Sequence, residues 1–164
     1  MGLIDLAVTV KSNAKELFHF IEAWKYFYET EVVVGITKDS DVGRDGITNA
    51  ELLFLHEHGI PSRNVPARPA LKPALKDREV QRKIASLMRR GMAAALLTGN
   101  RDACERMYEK AGMLGRDAVK NYIRQGIPPP NSPATVARKG SSTPLIDTGS
   151  MLNSITYEVR KKKG

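Results

Sequence analysis

Thr143-Pro144-Leu145-Ile146-Asp147-Thr148-Gly149-Ser150-Met151-Leu152-Asn153-Ser154-Ile155-Thr156-Tyr157-Glu158-Val159 changes its hydrophobic period part-way along. Asp147 stands where a carboxylate can cap a short helical turn through Met151 and Leu152. Ile155, Tyr157 and Val159 then alternate with Thr156, Glu158 and Arg160, the period of a half-buried strand. A second strand is expected at Glu31-Val32-Val33-Val34-Gly35-Ile36-Thr37, a compact β-branched run.

Around these strands the chain reads as helix and proline-rich loop. Leu17, Phe18, Ile21, Trp24 and Tyr28 recur at helical spacing after Ser12-Asn13, which predicts an amphipathic first helix with this stripe in the core. Thr48 or Asn49 can start a short helix through Leu52, Leu53, Leu55 and His56 that stops near Gly59 and Pro61. From Asp77, one helical face runs through Val80, Ile84, Leu87, Met88, Gly91, Ala95 and Leu96, and a second through Cys104, Met107, Ala111, Leu114, Ala118 and Tyr122. Thr98-Gly99-Asn100 interrupts them, and glycine costs about 1 kcal/mol in a helix interior, so either a hairpin or a kinked helix fits.

Pro61, Pro66, Pro69 and Pro73 predict an extended segment, since each fixes φ, removes a donor and biases its predecessor away from helix. Arg63, Arg68, Lys72 and Lys76 are interleaved there and can present cationic groups to carboxylates or phosphates of a neighbour, unless the run is a solvated connecting loop. A second such segment is Ile127-Pro128-Pro129-Pro130-Asn131-Ser132-Pro133-Ala134-Thr135-Val136-Ala137-Arg138-Lys139-Gly140. Within it Ser132 can cap a helical turn, Pro133 suits the first helical position and Gly140 ends it.

This segment, followed at once by residues 143–159, resembles the C-terminal signature of the bacteriophage neck proteins, the tail-completion or head-to-tail connector family. Leu55-His56-Glu57-His58-Gly59 and then Val65-Pro66-Ala67-Arg68-Pro69-Ala70-Leu71-Lys72-Pro73-Ala74-Leu75 resemble another element of that family, in the expected order. The resemblance spans roughly residues 50 to 160 and implies an α+β domain, a small antiparallel sheet flanked by an N-terminal helix and a long helix or helical hairpin, with extended proline-rich loops. It also implies a structural virion protein of the neck that forms a ring joining the tail to the head connector around the DNA passage. The family's motif positions fall on Arg68, Lys139, Leu145, Asp147 and Gly149; here His58 stands where an aromatic or apolar residue is commoner.

Composition bounds the class independently of the family. The 164 residues, 41% hydrophobic, suit one ordinary domain. A formal charge of +8 favours an acidic partner, whether DNA, protein or lipid headgroup. The lone Cys104 excludes an intrachain disulfide and reads as a small buried hydrophobe. No apolar run approaches a membrane span and no secretory leader is legible, so a soluble protein assembled in the host cytoplasm is expected.

Catalytic signals are weak. His56 and His58 diverge on a helix and lack a third ligand, while Asp39, Asp41 and Asp45 lack the glutamate that closes a calcium loop. No nucleophile has a matched base. The expectation is therefore no enzyme, no metal and no cofactor, with Arg68, Lys72, Arg138, Lys139 and Asp147 as interface residues and a basic tail at 160–164. Expected partners are further copies of the chain, connector, tail-terminator or tail-tube proteins, and DNA without sequence preference. The alternatives are a tail-terminator that caps the tube, or a nonspecific nucleic-acid-binding domain.

Overall fold

A computed structural model of the protein describes residues 3–41, 43, 46–98 and 101–162. Its order is α1 (Leu3–Glu29), β1 (Thr30–Ile36), α2 (Asn49–His58), α3 (Leu71–Lys76), α4 (Arg78–Thr98), α5 (Asp102–Arg124), α6 (Pro133–Lys139), α7 (Ser150–Ser154) and β2 (Ile155–Lys161). The strands pair as a two-stranded antiparallel sheet, giving the α+β fold that the sequence predicts. The helical region from Asp77 onward forms two helices; Gly99 and Asn100 lie outside the described residues.

The backbone divides into two compact units, the first comprising Met1–Val32, Ile84–Ala111 and Val159–Gly164, the second Val33–Lys83 and Gly112–Glu158. In the first, a small core forms from Ala23, Ala95, Ala103 and Cys104, with Tyr26 and Met92 packed against it. The Tyr108 hydroxyl donates to the Phe27 carbonyl at 2.9 Å, and the Tyr26 ring meets Tyr108 edge-on at 5.7 Å. Burial raises the Tyr108 hydroxyl pKa to about 12. The Cys104 thiol is buried as expected, its Sγ 3.6 Å from the Gly91 carbonyl and its pKa raised by desolvation.

Two expectations fail in this unit. Helix α1 begins well before Ser12-Asn13, so those residues do not start it. The stripe Leu17, Phe18, Ile21, Trp24 and Tyr28 is also not core: all five are at least 50% exposed. The helix meets its own chain through a different side, that of Ala23 and Tyr26. Of the basic tail, Arg160 and Lys161 belong to β2, Arg160 Nε meets Glu31 at 2.9 Å and the Lys162 amide donates to the Glu29 carbonyl. Lys163 and Gly164 lie outside the described residues.

The second unit holds the larger core. Leu53, Ala70, Ala74, Val119, Ile123, Ile127, Leu145, Met151, Leu152 and Ile155 are buried together, with Val34, Ile36, Leu75 and Tyr122 at its edge. Thr48 starts α2 with a reciprocal capping box: its hydroxyl accepts from the Glu51 amide and its own amide donates to Glu51. Asp41 Oδ1 accepts from the Asn49 amide at 2.7 Å, which gives this carboxylate a structural role; Asp45 of the suspected calcium loop lies outside the described residues. Buried Asn49 donates through Nδ2 to the hydroxyls of Ser150 and Ser154, tying α2 to α7.

Glycine is required at two close approaches. Gly59 ends α2 at φ +72°, and a Cβ there would lie 2.7 Å from the Ala67 amide nitrogen. In α5, Gly112 admits the Tyr157 ring of β2 into the space a Cβ would occupy. The proline-rich run is not extended throughout: Pro61–Arg63 form a short 3-10 turn closed by left-handed Asn64, residues 66–69 have no regular structure, and Pro73 lies inside α3. Within the first helical turn an amide has no intrahelical acceptor, so Pro73 gives up nothing there.

Candidate interface site

Arg68, Arg138, Lys139 and Asp147, separated by up to 79 positions in sequence, line one cleft of about 690 Å³ in the second unit. His56, Asn64, Asn131, Ser132 and Thr135 add polar groups, and Leu52, Val65, Pro66, Pro129, Pro130 and Leu145 supply apolar wall. Lys72 does not join them; it is exposed on α3 and absent from the cleft lining.

Local chemistry explains how each wall forms. Helix α6 is the sequence reading realised: Ser132 Oγ accepts from the Thr135 amide at 3.3 Å, Pro133 occupies the first position and Gly140 closes the helix at φ +68°. This short helix carries exposed Arg138 and half-buried Lys139 in its last turn, where cations offset the partial negative charge of the carbonyl end.

Asp147 does not cap α7. That helix starts two residues later than a cap at Asp147 would place it, after Gly149 turns at φ +81°, and the Thr148 hydroxyl receives the Ser150 amide instead. Asp147 faces the cleft, the only acid among its lining residues.

Arg68 is turned inward. It is 9% exposed, its Nε donates to the Pro129 carbonyl at 2.8 Å and its Nη2 to the Pro130 carbonyl at 3.2 Å. The rigid guanidinium fork thus joins the two proline-rich segments, whose carbonyls lack ladder partners. Arg68, expected at an interface, is thus bonded within its own chain while its side chain forms cleft wall.

Glu57, which sequence reading passed over as a spacer between two histidines, anchors the adjoining corner. Its Oε1 accepts from the Ala70 and Leu71 amides, both at 2.6 Å, satisfying the start of α3. His58 is exposed, its Nδ1 2.9 Å from the Phe54 carbonyl, so the two histidines serve different surroundings. Among the described residues, no group of three or more His, Cys, Asp or Glu side chains is disposed to hold a metal.

His56 sets the electrostatics of the inner wall. Desolvation first, then the positive charges of Arg68 and Lys139, lower its pKa to about 4. The imidazole is therefore neutral near pH 7, and Nδ1 is buried without a hydrogen-bond partner among the described residues. The described lining of the cleft thus carries three cationic side chains, one acid and a neutral imidazole.

No family model matches the chain, and no curated protein or solved structure matches it either. Among the described residues, no helix is long and apolar enough to cross a membrane.

Proposed function

We propose that this chain is a structural protein of the bacteriophage neck, a tail-completion or connector subunit that assembles as a ring between tail and head. The observation that carries this reading is the convergence of Arg68, Arg138, Lys139 and Asp147, drawn from the two segments that resemble the neck family, on one cationic cleft. Such a cleft is suited to an acidic segment of a neighbouring virion protein, because charge complementarity fixes orientation and suppresses wrong partners. Ring closure then needs two different patches on each copy, one meeting the other on the next subunit.

The test is recruitment. Purified protein mixed with tails, and separately with portal-bearing capsids, sediments with one of them if it is a neck component. Arg138→Glu reverses an exposed charge on the cleft rim and weakens that recruitment at least tenfold. Recruitment indifferent to Arg138, or none to either particle, overturns the reading.

The tail-terminator role makes the same prediction with tails alone. A nucleic-acid-binding role draws on the +8 charge and on exposed Arg89 and Arg90. It predicts duplex affinity that falls steeply with salt and needs no virion particle.

A further inference from the structure

Helix α1 carries an apolar stripe that the described residues leave largely exposed, Lys162 alone reaching over the Tyr28 ring at 5.1 Å. Leu17 is 60% exposed, Ile21 50%, Trp24 55% and Tyr28 69%, with Phe18 and Phe20 beside them at 61% and 48%. Their rings contact one another along the helix, Phe20 and Trp24 lying parallel with centroids 6.4 Å apart. Ala23 and Tyr26, in contrast, are held against Ala95, Cys104 and Tyr108, which fixes the stripe pointing away from the unit's core.

The spacing of the stripe says what covers it. Leu17, Ile21, Trp24 and Tyr28 follow steps of four, three and four, and in sequence the same alternation runs back through Ala14, Val10, Ala7 and Leu3. That is a strict 3.5-residue repeat sustained over the whole of α1, 27 residues or roughly 40 Å. A helix packed on an ordinary globular core follows its own 3.6-residue period, whereas a strict heptad seam keeps facing a second helix that bears the same repeat.

Area agrees. Half-exposed side chains of this size leave roughly 100 Å² each, so the six together offer roughly 600 Å² per copy, close to the about 800 Å² per partner of a stable interface and at the upper limit of patches on free monomers.

We propose that α1 is a self-association helix, its Leu17-Ile21-Trp24-Tyr28 seam packing against α1 of a second copy of this chain. Phe18 and Phe20 widen the seam on its two sides. The inference rests on α1 alone and stands or falls independently of the neck reading.

The test uses the full chain. Light scattering after size exclusion gives wild type a mass that is a multiple of 18.1 kDa, and gives Ile21→Glu/Trp24→Glu the monomer mass with helical circular dichroism retained. Because both side chains are half exposed in the monomer, the substitutions disturb assembly and not the fold. A wild type that stays monomeric at every concentration, or a double variant that assembles unchanged, overturns the proposal.

Trp24 is the sole tryptophan and gives a readout without mutation. Its emission shifts to the blue and its acrylamide quenching falls severalfold as wild-type protein is concentrated. Quenching independent of concentration in an assembling protein places the contact elsewhere and overturns the proposal. Assembly through α1 without recruitment to tails or capsids sinks the neck reading alone; recruitment with Trp24 still open to quencher sinks this one alone.

Discussion

Arg68 Nε and the Pro129 carbonyl lie 2.8 Å apart, across 61 positions of sequence. This bond holds the wall of the cleft, because it joins the two proline-rich segments where neither has regular ladder bonds. Arg68→Ala removes a buried charge-assisted pair and should cost about 2–3 kcal/mol, read as a lower urea midpoint at unchanged slope. Arg68→Lys should recover less than half of it, since a single ammonium cannot reproduce the two-pronged donation.

Removing residues 128–140 takes away both acceptors of Arg68, so it destabilises the subunit as well as any assembly. Arg138→Glu is the cleaner probe. It should leave the thermal midpoint within a few degrees of wild type while weakening partner capture, and equal loss of both would contradict the rim role of Arg138.

Glu57→Ala strips the acceptor from the Ala70 and Leu71 amides and should cost about 2 kcal/mol, whereas Glu57→Gln keeps one oxygen and should cost about half as much. Chemical denaturation of the two variants side by side checks the order. Equal costs would show that the negative charge, not the acceptor, matters at the start of α3.

Much of the fold was legible because its signals are local. Ser132, Pro133 and Gly140 mark both ends of α6 within nine residues, and Thr48 with Glu51 marks the start of α2. The alternation at Ile155, Tyr157 and Val159 placed β2 for the same reason. What sequence could not supply was the identity of distant partners. Nothing near Arg68 names Pro129, and nothing near Glu57 names Ala70. Asp147 was misread as a cap because residue type says that a carboxylate can cap, while the left-handed turn at Gly149 decides where α7 starts. The α1 stripe shows the same limit: periodicity reveals an apolar face without revealing whether its cover comes from the same chain. Steps of four, three and four through Leu17, Ile21, Trp24 and Tyr28 fit a core face as well as a seam; only their continuation back to Leu3 in the sequence favours the seam.

His56 predicts a pH dependence with a definite sign. Its folded pKa, about 4, lies below the ordinary 6.5, so between these values the unfolded chain binds more protons than the native one. The histidine's contribution is therefore complete above about pH 6.5 and is lost progressively as pH falls toward 4. Urea midpoints of wild type and His56→Leu, compared from pH 7 to pH 4, should converge or cross on acidification. Parallel curves would show that His56 is solvated and titrates normally.

Gly112→Ala places a methyl group where the Tyr157 ring sits and should cost about 1–3 kcal/mol, because the ring has to be displaced to admit it. Adding Tyr157→Leu should make the alanine cheaper, and a double-mutant cycle measures the coupling. Additive costs would mean that the two positions do not meet.

Native mass spectrometry of the 164-residue chain, alone and then with tails or portal-bearing capsids, at two salt concentrations, shows whether it assembles through its own surfaces as the proposed neck role requires. The expected result is a defined oligomer, or recruitment into one on a virion particle, that persists at the higher salt. A monomer that ignores both particles and coats DNA only at low salt would contradict it.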